Sequence, residues 1–436
     1  MKNLDIYDII EKKANKKKLS YEELQFFITK LCSGELPDYQ TAALVMAIYI
    51  NSMEIDELSS FTKIMAESGE QIDLSEIQGI KVDKHSTGGI GDKTTLIIGP
   101  IIAACGGKMA KMSGRGLGYS GGTIDKLEAI PSFRTGLEKN EFIHNVNEVG
   151  MAITGQTADI ALADKKIYAI RDVTATVSSI PLIASSVMSK KLASGADKIV
   201  LDVKMGSGAF VKTMEEAVTL AEAMVEIGKQ NGRETVAIIT NMNKPLGNNV
   251  GNLLEVQEAV STLRGEGPED LTELCIWLSA QMLSLAEADT FDNCVKRAKS
   301  ALESGKALEK FKEFVQRQGG DYEVIEDPER YYKRPESYSY HAEQAGYFSI
   351  TSAELIGKAG VLLGAGRLKK EDGIDYTAGI VFHKSHGGHA EKGELLFTMY
   401  GEDAEKFDLA LPALKEAFVL TQEEPVKEPL ILKIVR

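Results

Sequence analysis

The sequence is poor in cysteine and in positive charge, and each shortage excludes a class of protein. The four cysteines are widely separated and form no Cys-x-x-Cys pair, so we expect neither a disulfide framework nor a cysteine zinc site. The 50 lysines and arginines are outnumbered by 64 aspartates and glutamates, which leaves a net charge of −14. Nucleic acid and an anionic membrane are therefore excluded as the main partner, since both require a basic face.

Long apolar runs are also missing. The longest candidate, TAALVMAIYI at residues 41–50, is much shorter than the ~20 residues that span a membrane, and the first residues contain no apolar core of signal-peptide length. With 43% hydrophobic and 26% charged residues, the composition is that of a soluble globular protein, and 436 residues indicate two or three domains. We expect a cytoplasmic protein with buried thiols and no membrane partner.

The order of helix and strand signals predicts an α/β protein. Residues 1–70 have a helical pattern, with Ser20 and Glu23 as a capping-box pair. From about residue 80, glycine-rich loops alternate with short apolar runs. Two of these runs, KIVLDV and TVAIIT, enclose an amphipathic segment that opens with the capping box of Thr213 and Glu216. Strand, helix and strand of this length predict a parallel crossover unit.

The predicted fold has a small all-helical lobe, a larger α/β lobe with a central mixed sheet, and a β-rich C-terminal module. Residues 160–195 return to a helical pattern and are expected to pack against the N-terminal helices, which leaves the α/β lobe discontinuous. The predicted boundaries are 1–70 and 160–195 for the helical lobe, 71–159 and 196–335 for the α/β lobe, and 336–436 for the C-terminal module.

Two glycine-rich segments imitate nucleotide-binding motifs. A Walker A loop needs Gly immediately before its Lys-Thr pair, whereas Asp92 precedes Lys93 and would place a carboxylate against the phosphate. Residues 116–121 satisfy G-x-G-x-x-G, but Pro131 interrupts the long helix that a dinucleotide fold needs after this motif. We therefore expect neither nucleotide hydrolysis nor an organic cofactor.

Three histidines near the C-terminus, His383, His386 and His389, are spaced by three residues. On a helix this spacing would form one metal-binding face. Gly387 and Gly388 instead favour a turn, so a loop of exposed histidines is the expectation, rather than a metal site.

Two glycine-rich loops carry the groups that suit a free phosphate ion. The first offers Lys84, His85 and Ser86 at the end of an apolar run, followed by a segment that begins with Thr94 and Thr95 and can open a helix. The second loop, at residues 111–123, provides cations and hydroxyls at Lys111, Ser113, Arg115 and Thr123. Glycines that merely permit tight turns would explain either loop alone.

A third candidate group lies on a helical segment of small and apolar residues. Lys190 and Ser186 are four residues apart, which places them on one helix face, and Arg171 precedes them on a neighbouring segment. A lone lysine is usually solvated, but this helix should be mostly buried. We therefore favour a functional interpretation of Lys190.

The segments KVDKHSTGGIGDKTTL, KMSGRGLGYSGGTIDKLEAIPSF and YAIRDVTATVSSIPLIASSVMSKK resemble the thymidine and pyrimidine-nucleoside phosphorylase family, and the resemblance continues to the C-terminus. Tyr119 and Ser120 depart from the family, which commonly has His and Thr there. The resemblance implies a homodimer whose subunits have two lobes separated by a cleft. It also implies the reversible phosphorolysis of a pyrimidine nucleoside to the free base and a pentose 1-phosphate.

The resemblance also implies where the substrates bind. The phosphate site would be Lys84, Ser86, Thr95, Ser113 and Thr123. The base site would be His85, Arg171, Ser186 and Lys190, with His85, Arg171 and Lys190 as the catalytic residues. This agrees with the chemistry, because donors at the oxygens of the departing base stabilise charge that develops only in the transition state.

Substrate breadth and a cation site follow from finer matches to the family. Lys111 matches the broader members and would lie near the sugar, which favours uridine and deoxyuridine as substrates as well as thymidine. The alternatives are a thymidine-restricted enzyme, an anthranilate-type phosphoribosyltransferase and a non-catalytic sensor. A potassium ion is expected beside the first loop, on Gly91, Lys93, Leu246, Asn249 and Glu258, although the lysine side chain departs from the family there.

Overall fold

The computed structural model describes residues 4–116, 118–156, 160–287, 289–333, 335–367, 369 and 372–436. The chain begins with four helices: α1 (Ile6–Ala14), α2 (Tyr21–Ser33), α3 (Asp38–Asn51) and α4 (Ile55–Glu67). The predicted capping box of Ser20 and Glu23 is formed at the start of α2. Pro37 is the N-cap of α3.

The first part of the α/β lobe follows. Its elements are β1 (Val82–Ser86), α5 (Thr94–Ala104), β2 (Met109–Ser113), α6 (Thr123–Glu128), α7 (Lys139–Val149) and β3 (Met151–Gly155). Helix α5 is apolar on all sides and is buried along almost its whole length. Its first residues, Thr94 and Thr95, therefore lie inside the protein, beside the carboxyl end of β1.

The chain then returns to the N-terminal helices with α8 (Leu162–Val173) and α9 (Ile180–Ala193). Ile167 and Leu182 share one hydrophobic core with Phe27 and Phe61 of the first four helices. Two segments that are distant in sequence thus form a single helical body, because their apolar faces cover each other.

The second part of the α/β lobe contains the crossover unit and a layer of helices. The unit consists of β4 (Lys198–Met205), α10 (Met214–Gln230) and β5 (Glu234–Asn241), and its strands pair in parallel. The elements that follow are β6 (Asn249–Val250), α11 (Asn252–Leu263), α12 (Glu269–Glu287), α13 (Phe291–Glu303), α14 (Lys306–Arg317), α15 (Glu323–Glu326) and a 3-10 turn at Pro328–Arg330.

The C-terminal module combines short strands with two helices. Its elements are β7 (Glu336–His341), β8 (Gly346–Ile350), α16 (Ala353–Leu363), β9 (Gly379–Phe382), β10 (His389–Ala390), β11 (Leu395–Gly401), α17 (Ala404–Glu416), β12 (Phe418–Thr421) and β13 (Ile431–Val435). Of its histidines, His383 and His389 are exposed, and His386 Nδ1 accepts a hydrogen bond from Ile350 N at 3.0 Å.

The central sheet has the strand order β1-β4-β5-β13. Strands β1, β4 and β5 are parallel, and β13 pairs with β5 in the antiparallel sense, so the predicted mixed sheet is confirmed. The C-terminal module pairs strands with the α/β lobe through β13 and β5 and through β9 and β6. No helix in the described part of the chain is long and apolar enough to cross a membrane.

Candidate active site

The expected phosphate residues lie where several elements end. A bridge between Lys81 and Lys108 places β1 and β2 side by side in parallel, so Ser86 and Ser113 end neighbouring strands at the same edge. Thr95 stands in the first turn of α5, where amide groups without helical partners favour an anion. Thr123, the last of the expected phosphate residues, is the first residue of α6. The strand ends at Ser86 and Ser113 thus lie at one edge, and the start of α5 lies beside Lys84 of β1.

Lys84 provides the positive charge at this edge. Its side chain is buried, and Nζ donates a hydrogen bond to Thr94 Oγ1 at 2.6 Å. Two carboxylates are more distant, with Asp202 Oδ2 at 3.4 Å and Asp92 Oδ1 at 3.8 Å from the ammonium. The ammonium is therefore held by one short hydrogen bond and two looser ion pairs.

The partners of Lys84 form a buried charge cluster that sequence reasoning missed. Lys204 Nζ lies 2.8 Å from Asp202 Oδ2, and Thr240 Oγ1 donates to Asp202 Oδ1 at 2.6 Å. Burial raises the pKa of Asp92, but Lys84 and Lys204 outweigh this effect and hold it well below its usual value. The available signal was the pair of charges in LDVK, at the end of an otherwise apolar strand.

Three residues expected to bind the base, Arg171, Ser186 and Lys190, lie on two helices of the helical body. Lys190 Nζ of α9 lies 2.7 Å from Asp164 Oδ2 of α8 and donates to Ser186 Oγ at 3.2 Å. The Lys190 side chain retains 28% exposure, whereas Asp164 is almost fully buried. Lys190 and Ser186 therefore share one face of α9. The buried carboxylate of Asp164 orients the lysine, and the sequence analysis did not identify this residue.

Arg171 is buried among main-chain oxygens. Its guanidinium donates to the carbonyls of Thr176 at 3.4 Å, Val177 at 2.7 Å and Leu182 at 3.0 Å. It also lies 5.7 Å from the centre of the Tyr168 ring. Since arginine has five N–H donors, a bound base would have to use the donors that these carbonyls leave.

His85 lies on β1, directly after Lys84, and its side chain is partly buried. Burial lowers its pKa well below the usual value, and Lys191, Lys111, Lys190 and Lys84 lower it further by charge repulsion. Lys84 from the phosphate side and Lys190 from the base side are thus both close enough to act on the same imidazole. The ring is neutral at pH 7 as a result, and it can donate one hydrogen bond and accept another.

Lys111, which was predicted to lie near the sugar, is held by partners within the protein. The side chain is buried, its Nζ lies 3.3 Å from Asp83 Oδ1, and it also donates to the Lys84 carbonyl. Burial lowers the pKa of Lys111 to about 8, against the attraction of Asp83. Lys191 of α9 reaches the other oxygen of the same carboxylate at 2.6 Å, so Asp83 joins the helical body to the sheet.

The residues expected to hold a potassium ion surround the side chain of Lys93 in the structure. Its Nζ donates to the Leu246 carbonyl at 3.0 Å, to the Asn249 carbonyl at 2.8 Å and to Glu258 Oε2. These oxygens are three of the ligands that the cation would need. A buried ammonium group already satisfies them and occupies the space between them.

Three protein-family models match parts of the chain. Residues 78–308, more than half of the chain, match the glycosyl transferase family a/b domain. Residues 7–69 match its helical bundle domain, and residues 347–421 match the pyrimidine nucleoside phosphorylase C-terminal domain.

The chain is also similar to individual proteins over most of its length. It is 51% identical to the pyrimidine-nucleoside phosphorylase of Staphylococcus aureus strain MSSA476, over 98% of this chain and 99% of that protein. It is 54% identical to the Bacillus subtilis protein of the same name, over 90% and 91%. Anthranilate phosphoribosyltransferase from Thermus thermophilus shares the fold alone, with a TM-score of 0.58 and 18% identity over 71% of this chain and 99% of that one. The chain therefore belongs to the pyrimidine-nucleoside phosphorylase family.

Proposed function

We propose that this protein catalyses the reversible phosphorolysis of uridine, thymidine and deoxyuridine by inorganic phosphate, giving the free base and ribose or 2-deoxyribose 1-phosphate. The observation that carries the proposal is the position of His85 on β1, directly after Lys84 of the expected phosphate site, with Lys190 of the expected base site among the cations that lower the pKa of its ring. Two relatives named pyrimidine-nucleoside phosphorylase, at 51% and 54% identity, support the phosphorolysis reaction.

In the proposed mechanism, phosphate binds to Lys84 and to the hydroxyls of Ser86, Thr95, Ser113 and Thr123. A phosphate oxygen forms a bond to C1′ of the sugar while the bond from C1′ to the base nitrogen breaks. The electron pair of the broken bond passes to the base. Since the phosphate is already a nucleophile, the phosphate side has only to hold it in line with the breaking bond.

The base side stabilises the departing pyrimidine. Negative charge spreads over its two carbonyl oxygens, where Arg171, Ser186 and Lys190 supply donors. His85, whose low pKa keeps it neutral, acts as a hydrogen-bond donor rather than as a cationic acid. Donors that face the 4-position oxygen would meet an amino group in cytidine, so cytidine is excluded as a substrate.

The decisive experiment offers each nucleoside with and without phosphate and measures the free base. We expect uracil or thymine to appear from uridine, deoxyuridine and thymidine, and only when phosphate is present. Turnover of thymidine without uridine would instead identify a thymidine-restricted enzyme. Consumption of phosphoribosyl pyrophosphate with anthranilate, and not of nucleosides, would identify the phosphoribosyltransferase, and binding without turnover would identify a sensor.

Closure of the two lobes is part of the proposal, because the phosphate residues lie on the α/β lobe and most base residues on the helical body. Closing them would bring the substrates together and exclude water. Small-angle scattering with phosphate plus a non-reacting nucleoside analogue should show a smaller radius of gyration than the free protein. An unchanged curve would contradict closure.

We further propose that the protein is a cytoplasmic homodimer that associates through its helical body. Large apolar side chains are exposed there, among them Tyr7, Tyr39, Ile50 and Val173, each 65% exposed or more. Such a surface is typical of an interface between subunits. Light scattering should give a mass twice that of the chain, and Tyr39→Glu together with Ile50→Glu should reduce it to the monomer value.

A further inference from the structure

The Lys93 ammonium lies in a cradle of oxygens from two segments. The carbonyls of Leu246 and Asn249 and the carboxylate of Glu258 receive its hydrogen bonds, and the side chain is fully buried. Glu258 also accepts from the backbone N–H groups of Asn248 at 2.8 Å and Asn249 at 3.1 Å. Residues 246–249 thus contact both the Glu258 carboxylate and the Lys93 ammonium.

Two glycines are required by the shape of this cradle. Gly91 has a φ of +74°, and a Cβ there would lie 2.7 Å from the Leu246 carbonyl oxygen. Gly247 also has a φ of +74°, and a Cβ there would lie 2.5 Å from Glu258 Oε2 and 3.2 Å from Lys93 Nζ. Any other residue would be strained in its backbone and would collide with the oxygens around the ammonium.

The charge of Lys93 persists despite its burial. Burial lowers the pKa of this ammonium, but Glu258, Glu255 and Asp270 outweigh that effect and raise it above the usual value. The group is therefore a permanent monovalent cation, held by one carboxylate and two main-chain oxygens. These are the hard oxygen donors that a free alkali-metal ion would use.

We propose that the Lys93 ammonium is a built-in replacement for a monovalent metal ion, so that this protein needs no potassium for stability or turnover. A tethered cation cannot dissociate, and its occupancy does not depend on the salt outside. In the proposed enzyme, Lys93 is a positioning residue rather than a catalytic one.

The position of Lys93 explains how it would affect turnover. It is the N-cap residue of α5, immediately before Thr94 and Thr95. Thr94 bonds to Lys84, and Thr95 is an expected phosphate ligand. The side chain of Lys93 bonds the start of α5 to the carbonyls of Leu246 and Asn249. Asn249 begins β6, which pairs with β9 of the C-terminal module. Losing the cation would let the phosphate side shift.

The test compares the wild-type chain with Lys93→Ser and Lys93→Met in KCl, NaCl, LiCl and choline chloride at one ionic strength. Serine empties the cradle, keeps an oxygen and suits an N-cap position. Methionine fills the space without charge. Melting temperature is the first readout, and it does not rest on the proposed function. The second is kcat/KM for uridine, which does rest on it.

We expect the wild-type melting temperature and kcat/KM to be equal in all four salts. Lys93→Ser should melt earlier in choline chloride and regain stability progressively with KCl, as linkage to a bound ion requires. Its kcat/KM should fall on the order of 10²-fold in choline chloride, the loss that a shift of about 1 Å can cause, and recover with KCl. Lys93→Met should be destabilised and should not recover in any salt.

Three results would overturn the proposal. The first is a specific response of the wild-type protein to potassium, which can be measured even if both variants fail to fold. The second is a Lys93→Ser protein as stable as wild type in choline chloride. The third is a destabilised Lys93→Ser protein that no alkali-metal ion restores. If none of the nucleosides is turned over but the melting temperatures follow the expected pattern, only the proposed function fails.

Discussion

Lys84 and Lys93 stand at the two ends of one glycine-rich loop, and both side chains are almost fully buried. Lys93 is saturated, with a carboxylate and two carbonyls as acceptors. Lys84 has one short bond to a hydroxyl, and its carboxylate partners lie 3.4 and 3.8 Å away. Burial alone therefore does not distinguish the two lysines. They differ in how completely the ammonium is paired, and we expect the loosely paired one to take up a phosphate.

The largest effect is expected from removing the saturated lysine. Lys93→Met leaves the buried Glu258 carboxylate without its cation, and breaking such a pair typically costs about 3–5 kcal/mol of the free energy of unfolding. Urea unfolding measures this loss. Adding Glu258→Gln should recover part of it, because no unpaired charge is then buried. If Lys93→Met lowered the free energy of unfolding by less than about 1 kcal/mol, Lys93 would not be the structural lysine of the pair.

Lys84→Met should mainly affect turnover. Removing one charged donor from the transition state typically costs about 10²–10³-fold in rate. We expect kcat/KM for uridine to fall by this amount, and the stabilisation of the protein by phosphate in a thermal melt to disappear. Lys229→Met, at the exposed end of α10, is the matched control and should change neither quantity. A Lys84→Met protein that still binds phosphate normally would show that this lysine is structural too.

Lys190→Gln tests the other side of the site, with an expected loss on the order of 10²-fold in kcat for one donor to the departing base. The KM for phosphate should stay unchanged, which separates this variant from Lys84→Met. Lys165→Gln, an exposed change on α8, serves as the control. If Lys190→Gln raised the KM for phosphate as much as Lys84→Met does, the helical body would also contribute to phosphate binding.

The smallest effect concerns pH. The pKa of His85 is lowered by burial and by surrounding lysines that include Lys84 but not Lys93. As the pH falls below about 6.5, the unfolded chain binds a proton that the folded chain does not, so stability declines by at most about 1.4 kcal/mol per pH unit. His85→Gln should remove this contribution, and His144→Gln, on an exposed helix position, should not.

The same titration sharpens the comparison between the two loop lysines. Without the Lys84 charge, the imidazole is easier to protonate, so Lys84→Met should raise the pKa of His85, followed by the NMR shift of its ring protons. Lys93→Met should leave that pKa unchanged. An equal rise in both variants would mean that the two ammonium groups act on the site alike.

Much of the local structure was predictable from residues next to each other in the chain. The capping boxes at Ser20 and Thr213 are formed because the cap and its partner are only three residues apart. The crossover unit and the mixed sheet follow from apolar runs that alternate with an amphipathic segment. The resemblance to a known family predicted the phosphorolysis reaction, and relatives named pyrimidine-nucleoside phosphorylase, matched over nearly their full length, support that prediction.

The roles of individual lysines could not be predicted in the same way. Lys111 was expected at the sugar, but Asp83, on a neighbouring strand, draws it inward. Lys93 was expected beside a potassium ion, but it bonds to oxygens more than 150 residues further along the chain. Nothing near these lysines in the sequence identifies their acceptors.

The sequence by itself determined the order of helices and strands, the loops that bear cations and hydroxyls, and the family, since these depend on short-range pattern and on motif. Only the tertiary structure decided which of the buried lysines is saturated and which is loosely paired. That distinction depends on acceptors that folding brings from other strands and loops, because two carbonyl oxygens lie 2.8 and 3.0 Å from the Lys93 ammonium, whereas the carboxylates lie 3.4 and 3.8 Å from that of Lys84.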